Sequence, residues 1–435
     1  CSKHAGWVSL DLHGKARILR GGRFAARCRL EDSIFGQMPS TKLSSDGTFQ
    51  DFCSACGALY FLAECNGKSP FAFTRCCRCG SLADIPLLPP APPLLAELLT
   101  QLKVESYRLQ QAPYSLIGRI METEAPSDNK AQCQHFQENI RSYNAALGFA
   151  AYCDNMASDN TQLGKASAQA GRSPPVYVMH GRVYHKVSTL YPNQGVQPKY
   201  AQLYILDQRQ ATEHRFNAFQ NLNRDILQQL HAFLVEGIQH VDGTTGQQTW
   251  FGPRNPFPGH FMNMHEKITA HRNNCKDKDR DQSVHVLRFS GAKDQNPKTY
   301  NAPSSAEVSC VVVGEGPLPK HFISVYERPT MTDGCVHNLS PMSEYVDPLT
   351  YPLIHVMGTL GHSTALRSRA NSEDKDQKQT HISTCDFYAF RMMQRYSATS
   401  RVVELPFSAN RLFQQYICDA YAKVMQELVR FGSVR

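Results

Sequence analysis

Cys53-Ser-Ala-Cys56-Gly57 and Cys76-Cys77-Arg78-Cys79-Gly80 stand 19 residues apart, measured from Cys56 to Cys76. Two Cys-x-x-Cys knuckles at this distance match a four-thiolate zinc ribbon, in which each knuckle turns tightly and presents two sulfurs. The pattern assigns the ligands to Cys53, Cys56, Cys76 and Cys79, with Cys77 as a possible substitute. Gly57 and Gly80 each follow a knuckle's second cysteine, where a small residue suits the turn. Four matched thiolates leave no open coordination position, so the zinc expected here is structural and contributes to the folding of a small module. The competing reading is five thiols that are simply buried or free.

The rest of the chain favours the metal. It has 15 cysteines in 435 residues, and five of them stand in the two knuckles with a sixth, Cys65, in the loop between, while the others are scattered. A secreted disulfide scaffold is shorter and more evenly studded, so the clustering points to a metal in a reducing compartment. The length suggests about two to four domains, each able to bury a core. Hydrophobic residues make up 41%, and no stretch approaches the roughly 18 consecutive apolar residues of a membrane span. No membrane partner is therefore expected. No secretory leader is visible, and the first residue is Cys1 instead of Met, from which a fragment is expected.

Outward from the knuckles the sequence reads as an α+β chain in six parts. Residues 1–49 carry eight basic and four acidic side chains, and Lys15–Arg29 holds five arginines and no acid. Such a segment suits an arm that neutralises phosphates, a solvated surface strand or a degraded reading frame, and its role is left open. Residues 50–84 form the zinc-ribbon-like module. Residues 85–95 form a Pro-rich linker whose prolines impose extended polyproline geometry, with a helix restarting over Leu94–Leu102. Residues 96–365 form a mixed body. In it Val176–Val187 reads as two strands flanking His180-Gly181. Tyr200–Leu206 reads as a strand with Ala201, Leu203 and Ile205 on one side. A helix follows Asp207, and a second starts at Asp225 with Ile226, Leu227, Leu230, Phe233 and Leu234 at helical spacing. Ser305–Val313 and His321–Glu327 read as strands. Residues 366–381 are polar without periodicity and read as a mobile loop. Residues 382–435 end in an amphipathic helix that Asn410 can cap. Its expected apolar face runs through Leu412, Phe413, Tyr416, Ile417, Ala420, Tyr421, Val424 and Leu428.

Several catalytic constellations are missing. The only Gly-Lys-Ser, Gly67-Lys68-Ser69, lies inside the zinc loop with Leu62 where a phosphate-binding loop needs glycine. His265-Glu266 reaches His271 two residues too late for His-Glu-x-x-His. Tyr416 and Tyr421 sit on the expected apolar face, so both are read as core residues and not as nucleophiles. A cysteine nucleophile would need a partner histidine that the sequence does not place. The chain as given is therefore read as no enzyme.

The segment Cys53–Leu99 resembles the amino-terminal region of Helitron transposases, the eukaryotic rolling-circle proteins that join a Rep-type nuclease to a helicase. Phe136–Ala146 (FQENIRSYNAA), His180–Val187 (HGRVYHKV), Pro198–Tyr204 (PKYAQLY) and Tyr300–Glu307 (YNAPSSAE) are similar to blocks of that family in order. Asp347–Ile354 (DPLTYPLI), Phe387–Arg395 (FYAFRMMQR) and Arg411–Lys423 (RLFQQYICDAYAK) continue the series. The resemblance spans about residues 50–430. Two departures matter. The family pattern has a Cys-Cys pair before a glycine, which fits Cys76-Cys77 and leaves open whether Cys77 or Cys79 completes the site. The stretch after Leu353, Ile354-His-Val-Met-Gly358 leading to Gly361-His362, differs from the family's run towards a tryptophan.

The resemblance implies a place in DNA transposition, in the nucleus, beside the nuclease and helicase domains of a full-length protein. The family's His-hydrophobic-His motif, catalytic tyrosines and helicase motifs lie beyond its Leu-Phe-Gln-Gln-Tyr helix, so no catalytic residue carries over to this sequence. Three readings follow. In the first, a zinc module and a basic body hold DNA, with Lys68, Arg75 and Arg78 around the zinc site able to meet phosphates. The second is a structural scaffold that packs on the nuclease and helicase without touching DNA. The third is a decayed transposon fragment, without activity. No small-molecule substrate is expected.

Overall fold

Short blocks of β-branched residues alternate here with helical periodicities, and no block pair has the spacing of a long parallel crossover. The computed structural model accordingly shows an α+β architecture built of small sheets and helices. It describes residues 7–10, 16–19, 53, 56–58, 76–78, 80–82, 84–89, 91–112, 115–127, 129–154, 183–192, 194–241, 248–251, 255–274, 285–289, 309–313, 323–326, 336–368, 380–393, 395 and 405–432. Two compact units interleave along the sequence. The first takes Cys1–Ile140, Asp154–Arg182 and Leu366–Arg435, and the second takes Arg141–Cys153 and Val183–Ala365.

In the first unit, β1 (Trp7–Leu10) pairs antiparallel with β2 (Ala16–Leu19) within the basic segment. Pro92, at the end of the proline run, is extended at φ −62° and ψ 159°. Pro93 then opens α1 (Pro93–Thr100) at the position where a missing N–H costs nothing. The helix expected over Leu94–Leu102 is thus present, with Leu95, Ala96, Leu98 and Leu99 buried. A hairpin of β3 (Leu102–Ala112) and β4 (Ser115–Pro126) leads to α2 (Lys130–Leu147). Phe136, Ile140, Tyr143 and Leu147 are buried at three- and four-residue spacing along α2, one face of a 3.6-residue helix.

The second unit contains β5 (Ala150–Asp154) and β6 (Val183–Ser188), the latter being the second half of the expected hairpin. The first half and the His180-Gly181 turn lie outside the described residues. Tyr200–Leu206 is not a strand. Residues Tyr200–Ile205 form a 3-10 helix instead. Gln202 accepts from the Lys199 backbone N–H and donates to the Thr189 carbonyl, and Tyr200 takes φ 53°, so local bonding overrides the β propensity of the run. Ala201, Leu203 and Tyr204 are buried in it and Ile205 packs against the core, so burial does not follow the single alternating side of a strand.

Asp207 caps α3 (Gln208–Ala218) as expected, accepting from the backbone N–H groups of Arg209 and Gln210. Asn223, and not Asp225, caps α4 (Arg224–Glu236), whose Ile226, Leu227, Leu230, Phe233 and Leu234 are buried as the periodicity requires. The short pair β7 (Ile238–Val241) and β8 (Gln248–Phe251) precedes α5 (Pro256–Asn274). Of the strands read at Ser305–Val313 and His321–Glu327, β10 (Ser309–Val313) and β11 (Ile323–Tyr326) are present. They flank β9 (His285–Phe289) and do not pair with each other. Strand β12 (Val336–Leu339) pairs with β6, and α6 (Val346–Thr350) follows.

Phe149 organises this core, its ring 4.5 Å from Tyr204 and 5.8 Å from both Phe257 and Phe261. The segment after Leu353 is tightly packed: Ile354, His355 and Val356 are buried. Gly358 sits at φ +69° where a Cβ would stand 2.6 Å from the Pro256 ring, so only glycine fits. A buried cation, Arg215, closes the carboxyl end of α2. Its Nε donates to the Ala146 carbonyl at 2.9 Å, and the Tyr204 hydroxyl donates to the Leu147 carbonyl at 2.6 Å. These carbonyls carry the negative end of the helix dipole, which gives the charge a counterpart without a carboxylate. Arg215 Nη1 also lies 2.9 Å from His231 Nδ1, and burial, reinforced by the Arg215 charge, holds the His231 pKa down to about 3. A neutral His231 therefore accepts from the guanidinium.

The first unit resumes where Arg367 bridges His381 and the Ser368 N–H donates to the Thr380 carbonyl, closing the base of the polar 366–381 segment. Its middle, 369–379, lies outside the described residues. Ser383 caps α7 (Thr384–Arg391), accepting from the Asp386 N–H. A short α8 (Leu405–Ser408) runs into α9 (Asn410–Gly432), which Asn410 opens at φ 45°. The expected apolar face is corrected in its second half. Leu412, Phe413, Tyr416 and Ala420 are buried, but Tyr421 is 43% and Leu428 is 54% exposed. The buried stripe continues instead through Asp419 and Lys423, paired at 3.7 Å. Tyr421 is thus a surface residue. Among the described residues no helix is long and apolar enough to cross a membrane.

Candidate metal centre

Each knuckle is a backbone turn closed by its own amides. In the first, the Gly57 N–H donates to the Cys53 carbonyl and the Cys53 N–H to the Ala58 carbonyl, both at 2.7 Å. Gly57 takes φ 72°, which explains the glycine directly after Cys56. In the second, the Leu82 N–H donates to the Cys77 carbonyl at 3.0 Å, with Arg78 at φ 49° and Gly80 at φ 88°. Gly80 also turns its N–H onto Cys77 Sγ at 3.1 Å, the kind of bond that holds a thiolate in place.

These turns bring Cys53, Cys56, Cys76 and Cys77 together, with all four sulfurs within 4.8 Å of one another. Cys53 Sγ and Cys76 Sγ each lie 3.7 Å from Cys77 Sγ. A sulfur tetrahedron around an ion with metal–sulfur bonds of ~2.3 Å has edges of about 3.8 Å, so the spacing fits one ion. It does not fit disulfides, whose sulfurs approach to about 2.05 Å. Cys53, Cys76 and Cys77 are buried and Cys56 is partly so. Four thiols this close share too few protons. Hydrogen bonds from Cys56, Cys76 and Cys77 push the Cys53 pKa well down. Hydrogen bonding to Cys53 pushes Cys76 and Cys77 well up. A cation bound among the four would draw their protons off.

Of the ligands assigned from the sequence, the structure gathers Cys53, Cys56 and Cys76. The fourth sulfur it supplies is that of Cys77, and Cys79 lies outside the described residues. Adjacent cysteines both serve here, the Cys76 and Cys77 sulfurs lying 3.7 Å apart within the cluster. Lys68 and Arg75 also lie outside the described residues. Arg78 is described and half-exposed, and its Nη2 lies 2.6 Å from Asp386 Oδ2 on α7.

The residues that sequence reading missed are on that helix and just beyond it. Ala58 forms an isolated antiparallel bridge with Arg395. Arg391 Nε donates to the Pro86 carbonyl at 3.1 Å while its guanidinium lies over the Phe387 ring. Ser383-x-x-Asp386 announces a helix start in sequence, but nothing local announces that Asp386 meets a residue 308 positions earlier. No protein-family model matches the chain, and no curated protein matches it.

Proposed function

We propose that this chain is a zinc-bound, non-catalytic region of a Helitron-like rolling-circle transposition protein, and that it holds DNA. The observation that carries the reading is the tetrahedral spacing of the four thiols. An all-sulfur, four-coordinate shell selects zinc over hard cations and leaves no position for substrate, which makes the centre structural. Within it Cys53, Cys56, Cys76 and Cys77 bind, and the Gly80 N–H orients Cys77. The excess of positive charge supports the nucleic-acid part: +8 overall, with eight basic against four acidic groups in residues 1–49 and seven against four in residues 381–435. Both halves of the proposal are tested on the full chain. Metal analysis should find one zinc per chain. Titration with single- and double-stranded DNA at two salt concentrations should show affinity falling as salt rises. Binding indifferent to salt, or none, removes DNA from the reading.

A second reading, the scaffold that packs on neighbouring domains and leaves DNA alone, is favoured by one observation. Arg78 is engaged with Asp386 of its own chain, so the exposed knuckle cation already has a carboxylate partner. One zinc per chain without DNA affinity would select this reading.

A further inference from the structure

We propose that the thiol centre is a clasp: metal in it and the docking of α7 onto residues 53–89 support each other. The inference rests on the reading that the four thiols hold a metal, and goes further by naming what the metal fixes. Three links run from the knuckles and the chain just after them to one short segment, 386–395. Ala58, two residues past Cys56 and fully buried, carries the backbone bridge to Arg395. Arg78, directly after Cys77 and held at φ 49°, carries the ion pair to Asp386. Pro86, four residues beyond buried Leu82, receives Arg391.

None of these links is strong alone. A half-exposed ion pair contributes little when its partners must be immobilised for it. All three become favourable together once something else fixes Ala58 and Arg78 in space. Both lie next to ligand cysteines, so a bound ion fixes both at once and removes the chain entropy that otherwise opposes the links. Thermodynamic reciprocity supplies the converse: if metal strengthens docking, docking strengthens metal binding by the same factor.

The experiment is amide hydrogen exchange on the full-length chain, zinc-loaded and after chelation, with released zinc counted by a colorimetric chelator. Removal should speed exchange at least tenfold across 384–393 and 76–89 and leave 255–268 of the other unit unchanged. If one zinc is bound and its removal leaves 384–393 as protected as before, the clasp is overturned while the zinc reading stands. If no zinc is bound, both fall. Arg78→Gln keeps all four thiols and should raise the zinc dissociation constant about two- to fivefold, with the exchanged pair Arg78→Asp/Asp386→Arg recovering part of the loss. An Arg78→Gln chain that binds zinc as tightly as the parent overturns the reciprocal coupling.

Discussion

The cysteine knuckles and the aromatic core of the second unit are held by opposite means. Around Phe149, Tyr204, Phe257 and Phe261 the chain excludes water from large rings, and the residues that matter are spread over the approach to β5, the 3-10 helix and α5. Around Cys53 and Cys77 the chain is gathered on four sulfurs that all lie within 4.8 Å of one another. The first kind of order is spread over many contacts and fails gradually. The second depends on four atoms and fails all at once. The contrast teaches that a single chain can hold regions whose stability answers to different variables: one to packing, the other, on the reading proposed above, to metal and redox state.

The sharpest way to break the comparison is Cys53→Ser. Structural zinc sites of this type bind with about 10–16 kcal/mol of apparent free energy, so losing one ligand should abolish stoichiometric zinc. Near-ultraviolet circular dichroism from the aromatic core should stay the same. A variant that keeps its zinc would show that the four sulfurs are not the ligand set. The reciprocal test is Phe261→Ala, which should destabilise the second unit by about 3–5 kcal/mol in denaturant titration while leaving zinc content at the parent level. Loss of zinc in that variant would show that the two kinds of order are not separate.

The smallest effect belongs to pH. His231 titrates near 6.5 when unfolded but is held to about 3 in the fold. Between those values the unfolded chain binds the proton and the folded chain does not. The contribution of His231 is therefore complete above pH 6.5 and declines as pH falls towards 3, by at most about 1.4 kcal/mol per pH unit. Thermal unfolding of the second unit between pH 7 and 4.5 should show this slope, and His231→Gln should flatten it. An unchanged slope would mean that other groups dominate acid sensitivity.

What could be read from sequence divides along the same line. Cys53, Cys56 and Cys76 were legible because cysteines at knuckle spacing with a following glycine are local signals with a local cause, the turn, while Cys77 as fourth sulfur was only the substitute. Helices α3 and α4 were legible because their caps and apolar repeats lie within a dozen residues. Tyr200–Ile205 was misread because a β-rich composition says nothing of Gln202 reaching Thr189. The far half of α9 was misread for a related reason. Apolar periodicity counts Tyr421 and Leu428 and passes over Asp419 and Lys423, whose burial depends on their meeting each other. Asp386 and Arg395 were invisible as parts of the metal region, since their partners lie hundreds of residues away.

That separation has a consequence in time. Arg78 and Asp386 are 308 residues apart, so at about 5–20 residues per second a ribosome completes the second roughly 15–60 s after the first. During that interval the cysteines have emerged but the helix they will hold does not yet exist. If the thiols hold a metal as proposed, the ion can gather the two knuckles during that interval, before their partner helix is made.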